Sequence, residues 1–310
     1  MTDDQRYADL LEQARGFGGY VSLGQATAAG LSESEVATLV RRGDWLHVGP
    51  GLRRVVDYAS DDGWRDRVRA ALLSAGPGAV AAGHTAAALQ GVVGSPPGAR
   101  IWLAVPPDRH PEHRAGIRLL RSPVPAADVV EVDGIPVTAP LRAVLDSARY
   151  ADHLAAVCLF ESAIRQDLFE FGAVLAAANA LHGKRGSIAV RKAFRRIDLR
   201  SESPLETRAR LLLVDAGFRY PRLQVQVAPG DARRIDLAYL APRQHAYRGL
   251  AIEIDGREVH AREDAFHSDP VRQTALEEAD WLVRRFTSRH LSDPAYVCQT
   301  VRRALARAGC

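Results

Sequence analysis

The sequence predicts a mixed α/β protein in three segments, and three observations carry that expectation. Its 310 residues exceed what one ordinary core holds. With 47% hydrophobic and 25% charged residues and no long polar tract, the chain is globular rather than disordered. Its apolar periodicity also changes character twice. Residues 1–60 read as helices followed by one hairpin, 61–200 as mixed helix and strand, and 201–310 as αβββαβ with a closing helix.

In the first segment, Tyr7, Leu10, Leu11, Ala14 and Phe17 recur at three-and-four spacing and place a helix over about Asp3 to Arg15. Ser22 with Gln25 and Ser32 with Glu35 form two capping boxes, and Gly30 and Gly43 supply the stops. In the second of these helices Val36, Leu39 and Val40 form the buried stripe, which leaves Arg41 and Arg42 outward. Trp45 to Val48 and Leu52 to Val56 flank Gly49-Pro50-Gly51, a hairpin turn that carries Arg53 and Arg54 beside it. Three helices and a hairpin make a winged helix.

This stretch resembles the N-terminal domain of AbiEi-type antitoxins, through Tyr20-Val21-Ser22, the turn Thr27 to Leu31, and Gly43-Asp44-Trp45-Leu46 entering the wing. The resemblance implies that the second capped helix enters a DNA groove while Arg53 and Arg54 meet phosphates. It also implies a toxin partner of the nucleotidyltransferase type. Against DNA stands the charge of residues 1–60, six arginines to eight carboxylates, so protein docking is the competing use.

The middle segment has helical periodicity at Trp64–Ala75, Thr85–Leu89 and Pro140–Leu168, and an apolar strand at Ile101–Val105. The AbiEi resemblance continues in Gly83-His84-Thr85-Ala86-Ala87-Ala88-Leu89, in Ile101 to Val105 and in Gly134 to Thr138. His84, beside the capping Thr85, reads as structural. His110 and His113 have H-x-x-H spacing but sit in a proline-rich loop without further ligands, so a surface loop is expected there. Lys184, Arg185, Arg191, Lys192, Arg195, Arg196 and Arg200 face only Asp198 between 184 and 200. That basic linker suits either backbone phosphates or a solvated helix face.

The last segment places helices at Pro204–Ala216, Asp269–Ala279 and Pro294–Arg307, and strands at Leu223–Val227, Arg233–Tyr239, Leu250–Ile254 and Trp281–Phe286. Charges interrupt it. Glu253 and Asp255 are two apart on a strand and share a face, with Ile252 and Ile254 on the other. Two ionised carboxylates so close repel unless a cation neutralises them. Asp236 breaks the preceding strand, and pairing of the two strands would bring three carboxylates together, a hard oxygen set suited to Mg²⁺ or Mn²⁺.

The segment resembles the PD-(D/E)XK nuclease superfamily and, within it, Vsr-like endonuclease domains. The residues that carry this are Ser203-Pro204-Leu205-Glu206, Arg234-Ile235-Asp236-Leu237, Glu253-Ile254-Asp255-Gly256-Arg257 with His260, Asp269 with Arg272 and Leu276, and Trp281 to Phe286. The resemblance implies a restriction-endonuclease-like fold in which Asp236 and Glu253 hold the metal and Glu206 completes the acidic cluster. Glu206 equally fits as the capping partner of Ser203. The superfamily's lysine is replaced by Asp255, and the only lysines are Lys184 and Lys192. Asp255 is then either an added metal ligand, with His260 carrying the proton, or the mark of lost activity.

Two functions follow as expectations. The first is a divalent-metal-dependent DNA endonuclease with a DNA-binding or regulatory winged helix, its site formed by Glu206, Asp236, Glu253, Asp255 and His260. The second is an AbiEi-like antitoxin or transcriptional regulator whose nuclease-like domain is inactive. RNA is a further substrate class, although aromatics are only 6% of the chain, too few to suggest a base-stacking surface. No small-molecule cofactor is evident. Without a signal segment or an apolar run of about eighteen residues, a cytoplasmic protein that spans no membrane is expected. Cys158, Cys298 and Cys310 have no C-x-x-C spacing and read as bystanders.

Overall fold

The computed structural model describes residues 3–59, 63–109, 116–180, 183, 185–255 and 274–310. It is a mixed α/β protein with three sheets among the described residues. Two compact units divide the chain, one of residues 1–150 with 166–190, the other of 151–165 with 191–310. The chain therefore passes between units three times rather than once.

The first unit opens with α1 (Asp3–Gly16), β1 (Tyr20–Ser22), α2 (Leu23–Ala28), α3 (Glu33–Arg42), β2 (Trp45–Gly49) and β3 (Leu52–Val55). Both capping boxes form as the sequence requires. Gly43 ends α3 in the left-handed region at φ 84°, where a side chain would be strained. The strands make an antiparallel sheet in the order β1-β3-β2. Leu10, Ala14, Val21, Val36, Trp45 and Val55 close a core beneath it. This is the winged-helix arrangement, with β2 and β3 as the wing.

The rest of the unit is built on a five-stranded sheet that the sequence reading does not contain, apart from its strand at Ile101–Val105. The strands are β4 (Val80–Ala81), β5 (Ile101–Val105), β6 (Ile117–Arg121), β7 (Val129–Val132) and β8 (Ile135–Thr138), in the order β6-β5-β4-β8-β7. Every residue of β5 is buried, which is why it alone shows as an apolar run. Around the sheet lie α4 (Gly63–Ala75), α5 (Gly83–Leu89) and α6 (Pro140–Ala148). At Gly83, φ 49°, a Cβ would stand 2.7 Å from the Trp102 ring, so glycine lets α5 approach β5.

The single helical stretch expected over Pro140–Leu168 is two helices, α6 and α7 (His153–Arg165). Asp152 starts the second, its Oδ1 accepting the Ala155 N–H at 2.8 Å. Periodicity runs through the break because both helices bury apolar faces, but α7 packs in the second unit. One further helix, α8 (Phe171–Ala180), has no counterpart in the sequence reading, while α9 (Ser187–Phe194) lies in the basic stretch for which a solvated helix face is one of the two readings.

The second unit sets α7 against α10 (Pro204–Asp215) and a four-stranded sheet. Its strands are β9 (Arg222–Gln226), β10 (Arg234–Leu240), β11 (Gly249–Asp255) and β12 (Trp281–Thr287), in the order β12-β11-β10-β9. The first three form an antiparallel meander, while β12 runs parallel to β11. A parallel partner demands a crossover, and residues 274–278 within it are helical. On one face Leu237, Leu250 and Ile252 meet Ala209, Leu213 and the C-terminal helix Pro294–Ala308 through Val297 and Val301. On the other, Ala238 and Ala251 meet Leu276 and Trp281. Burial on both faces explains the continuous apolar character of β11. The helix expected at Asp269–Ala279 lies partly outside the described residues.

Candidate functional site

The recognition surface of a winged helix is set by how its second capped helix begins. Ser32 Oγ accepts the Glu35 N–H at 3.3 Å, and Glu35 Oε2 accepts the Ser32 N–H at 2.8 Å. Hydrogen bonds from the Ser32 side chain and backbone hold the Glu35 carboxyl below its ordinary range. With Val36 buried on the inner face, Ser34, Ala37, Arg41 and Arg42 are exposed on the outer one. Arg41 Nη2 donates to Thr38 Oγ1 at 3.1 Å, which steadies the guanidinium along the helix.

The two wing arginines divide. They alternate along β3, so they lie on opposite faces. Arg54 turns inward, its Nη2 2.6 Å from Asp66 Oδ2 and its Nε donating to the Gly18 carbonyl at 3.0 Å. Its guanidinium also lies over the Tyr20 ring at 4.9 Å. Its guanidinium thus fastens the wing to α4, unlike the outward place expected for it among the phosphate contacts. Arg53 is half-buried, with Nη1 on the Leu52 carbonyl at 2.8 Å.

The basic stretch is also divided. Lys184 lies outside the described residues. Arg185 belongs to the first unit and is exposed, whereas Arg191, Lys192, Arg195 and Arg196 belong to the second. Lys192 and Arg195 are exposed, Arg191 half-buried, and Arg196 pairs with Asp215 at 2.7 Å. Arg200 pairs with Asp198 at 2.6 Å. Part of the apparent excess charge is therefore neutralised by folding.

In the second unit the strand carboxylates take distinct places. Leu237 stands opposite Ile252, and the same antiparallel register carried one step further sets Asp236 level with Glu253. Asp236 Oδ2 accepts the Ile254 N–H at 2.7 Å, tying the two strands at their ends. Glu253 is buried, 6% exposed, and pairs in register with Arg285; Asp255 is half-buried beside Thr287. Glu253 and Asp255 share the parity of Ala251, so they lie on the face where Leu276 and Trp281 pack.

Glu206 is held elsewhere. Ser203 Oγ accepts the Glu206 N–H, but the Glu206 carboxylate accepts from the Glu202 N–H at 2.8 Å and from Gln224 Nε2 at 3.0 Å. The expected reciprocal bond to Ser203 is replaced by a bond to β9. Gln224 has φ 51°, unusual for a side-chain-bearing residue in a strand. No sequence signal marks it. His260, like His110 and His113, lies outside the described residues.

Among the described residues no three His, Cys, Asp or Glu side chains gather closely enough to hold a metal ion. Asp236, Glu253 and Asp255 therefore do not complete a three-ligand site from the described residues alone.

A buried ionic network that sequence reasoning missed joins α7 to α10. Glu161 and Arg210 are both fully buried, with Oε1 and Nη2 2.7 Å apart. Glu161 also accepts from the Thr207 hydroxyl and, at 2.7 Å, from the Asp198 N–H. Burial pushes its carboxyl up, against the pull of those hydrogen bonds and of Arg210. Nearby, burial raises the Cys158 thiol to about 12, away from the thiolate range.

In the first unit His84 meets the Trp102 ring edge-on at 5.0 Å, and its Nδ1 is 3.4 Å from Ser95 Oγ. Burial, with the charge of Arg118, lowers its pKa. These are the surroundings of a packed, neutral imidazole.

The fold and these surroundings can be set beside known proteins. Residues 79–193 match the AbiEi antitoxin C-terminal domain. The AbiEi match covers β4 to β8 and the helices from α5, with His84, to α8 and most of α9. Over 172 residues the chain is 30% identical to the uncharacterized proteins Rv2248 and MT2308 of two Mycobacterium tuberculosis strains, H37Rv and CDC 1551 / Oshkosh. The alignment covers 55% of this chain and 58% of each relative, so the chain spans little more than half the length of these relatives. Among solved structures, the crystal structure of the Rv2827c protein from Mycobacterium tuberculosis aligns at 16% identity with a TM-score of 0.39. That alignment covers 73% of this chain and 85% of that one.

Proposed function

We propose that this chain is an AbiEi-type antitoxin that also acts as a transcriptional regulator. One observation carries the reading: most of the segment matching the AbiEi antitoxin C-terminal domain, residues 79–150 and 166–190, shares a compact unit with the winged helix. The outer face of α3 enters a DNA groove, Arg41, Arg42 and Arg53 meet phosphates, and the matched domain engages a toxin. A nucleotidyltransferase encoded beside this gene is the expected toxin.

Gel-shift titration against DNA upstream of the gene tests the reading. Arg41→Glu lowers affinity, and each lost phosphate contact flattens the log–log salt dependence by about 0.9. Co-expression with the neighbouring gene then restores growth. Absence of both binding and rescue removes the proposal.

A second reading is favoured by the αβββαβ order of the second unit, with Glu253 buried on its central strand. On this reading the unit is a metal-dependent phosphodiesterase acting on DNA, with Asp236 and Glu253 binding Mg²⁺ or Mn²⁺, Asp255 in the lysine position and Glu206 supporting from α10. Bound metal would supply an activated water and stabilise charge on the phosphate. Calorimetric titration of Mn²⁺ into wild type and Asp236→Asn tests it directly. Equal binding by the two sinks the site, and DNA cleavage that survives Glu253→Ala assigns the activity to a contaminant.

A further inference from the structure

The matched domain contains a groove of about 790 Å³ between the end of β6 and α6, within the range of roughly 300–1,000 Å³ typical of small-molecule sites. The groove lies wholly in the first unit. Three arginines line it: Arg121 from β6, and Arg142 and Arg149 from α6 and its C-terminal cap.

Their arrangement is built rather than incidental. Asp146 is buried, 3% exposed, and spends one carboxylate oxygen on each α6 arginine: Oδ2 on Arg142 Nε at 2.7 Å and Oδ1 on Arg149 Nη1 at 3.1 Å. Positions 142, 146 and 149 fall on one helical face. Ser122 Oγ accepts Arg142 Nη2 at 2.8 Å, and the Arg185 carbonyl accepts Arg149 Nε at 2.8 Å. Both guanidinium planes are thereby fixed. Among the described residues no hydrogen bond occupies Arg142 Nη1 or Arg149 Nη2. Arg142 Nη1 forms a long ion pair with Asp128 Oδ2 at 3.8 Å on the rim. Arg121 is exposed.

A carboxylate that locks two guanidiniums, while Arg142 Nη1 keeps only a long ion pair to a rim carboxylate, prepares them for an oxyanion. Because both guanidiniums bond the one Asp146 carboxylate, they stand side by side across it, with Arg121 lining the same groove. Two adjacent guanidiniums and a third in the same groove offer more donors than one phosphate takes up and suit two linked ones. Three guanidiniums against Asp146 and Asp128 leave the groove net positive, while Leu141, Leu145 and Pro123 add an apolar wall for the body of the ligand.

We infer that this groove binds a small molecule carrying a pyrophosphate group, held by Arg121, Arg142 and Arg149, with Asp146 as the positioning residue. The site does not depend on the regulator reading, and DNA binding by the winged helix can fail without touching it.

The test is calorimetric titration of the full chain with inorganic pyrophosphate at low ionic strength, with phosphate, citrate and short duplex DNA as parallel arms. Pyrophosphate is expected to bind, with phosphate about tenfold weaker or more. Arg121→Gln and Arg149→Gln each weaken pyrophosphate by about tenfold or more, and Asp128→Asn tightens it. Circular dichroism confirms that each variant is folded; Arg121, being exposed, carries the test if Arg149→Gln does not fold. No pyrophosphate heat, or unchanged affinity in the folded variants, overturns the assignment. Citrate binding as tightly as pyrophosphate overturns the pyrophosphate specificity. Duplex DNA that displaces pyrophosphate, and whose own binding the same substitutions abolish, makes the groove a nucleic-acid surface and overturns the small-molecule assignment.

Discussion

Replacing Glu161 by Gln keeps the shape of the side chain and removes its charge, leaving the Arg210 guanidinium fully buried without a counter-ion. Breaking one side of a buried pair costs about 3–5 kcal/mol, chiefly because the surviving charge is stranded. Arg210 retains three other acceptors: Ser201 Oγ at 3.2 Å, the Arg196 carbonyl at 2.9 Å and Tyr220 Oη at 3.0 Å. These keep the loss at the lower end, about 3 kcal/mol. Since the pair sits in the second unit, the loss should be local. Hydrogen exchange read by mass spectrometry across a urea series separates the units, comparing peptides over Leu250–Ile252 with peptides over Ile101–Val105. The double variant Glu161→Leu with Arg210→Met should recover most of the stability, because both charges leave together. A loss below about 1 kcal/mol in Glu161→Gln, or equal loss in both units, would refute the claim that this pair clamps α7 to α10.

Three other outcomes are expected. A fragment of residues 201–310 lacks Glu161 and the rest of α7, so it should stay unfolded by circular dichroism; a cooperative melt would show that α7 is dispensable. Ser32→Ala removes the cap of α3 and should cost about 1 kcal/mol, read as faster exchange in α3 with the second unit unchanged. Asp198 is held at about 2 because, against the burial that raises it, hydrogen bonds from Arg200 and Tyr220 pull it down. Since the folded value lies below the ordinary 3.8, the contribution is present above that pH and lost as pH falls toward 2. Asp198→Asn should therefore flatten acid unfolding between pH 4 and 2, by an amount on the order of 1 kcal/mol once solvent screening is allowed for.

Local signals carried much of the reading from sequence. The capping boxes at Ser22 and Ser32, the stop at Gly43 and the turn Gly49-Pro50-Gly51 are chemistry confined to a few neighbouring residues, and each forms as expected. The interrupted strands of the second unit were also visible, because Asp236 and Glu253 stand out against apolar runs. Less could be read where elements are short or half-exposed. β4 has two residues, and β6 and β7 show no clear alternation, so a five-stranded sheet left little trace beyond β5.

What the sequence alone determined is therefore the set of elements with strong local punctuation and the identity of the charged residues within them. Tertiary structure decided what those charges face. Arg54 and Arg53 are neighbours in sequence, yet only Arg54 meets Asp66, because alternate strand residues point to opposite faces. Glu206 is positioned to cap through Ser203 but reaches Gln224 instead. Glu161 finds Arg210 across 49 residues, and Arg142 and Arg149 share Asp146 beside Arg121 only once β6 and α6 have packed. A charge acquires its role from the partners that burial forces upon it, and no local pattern encodes partners so distant along the chain.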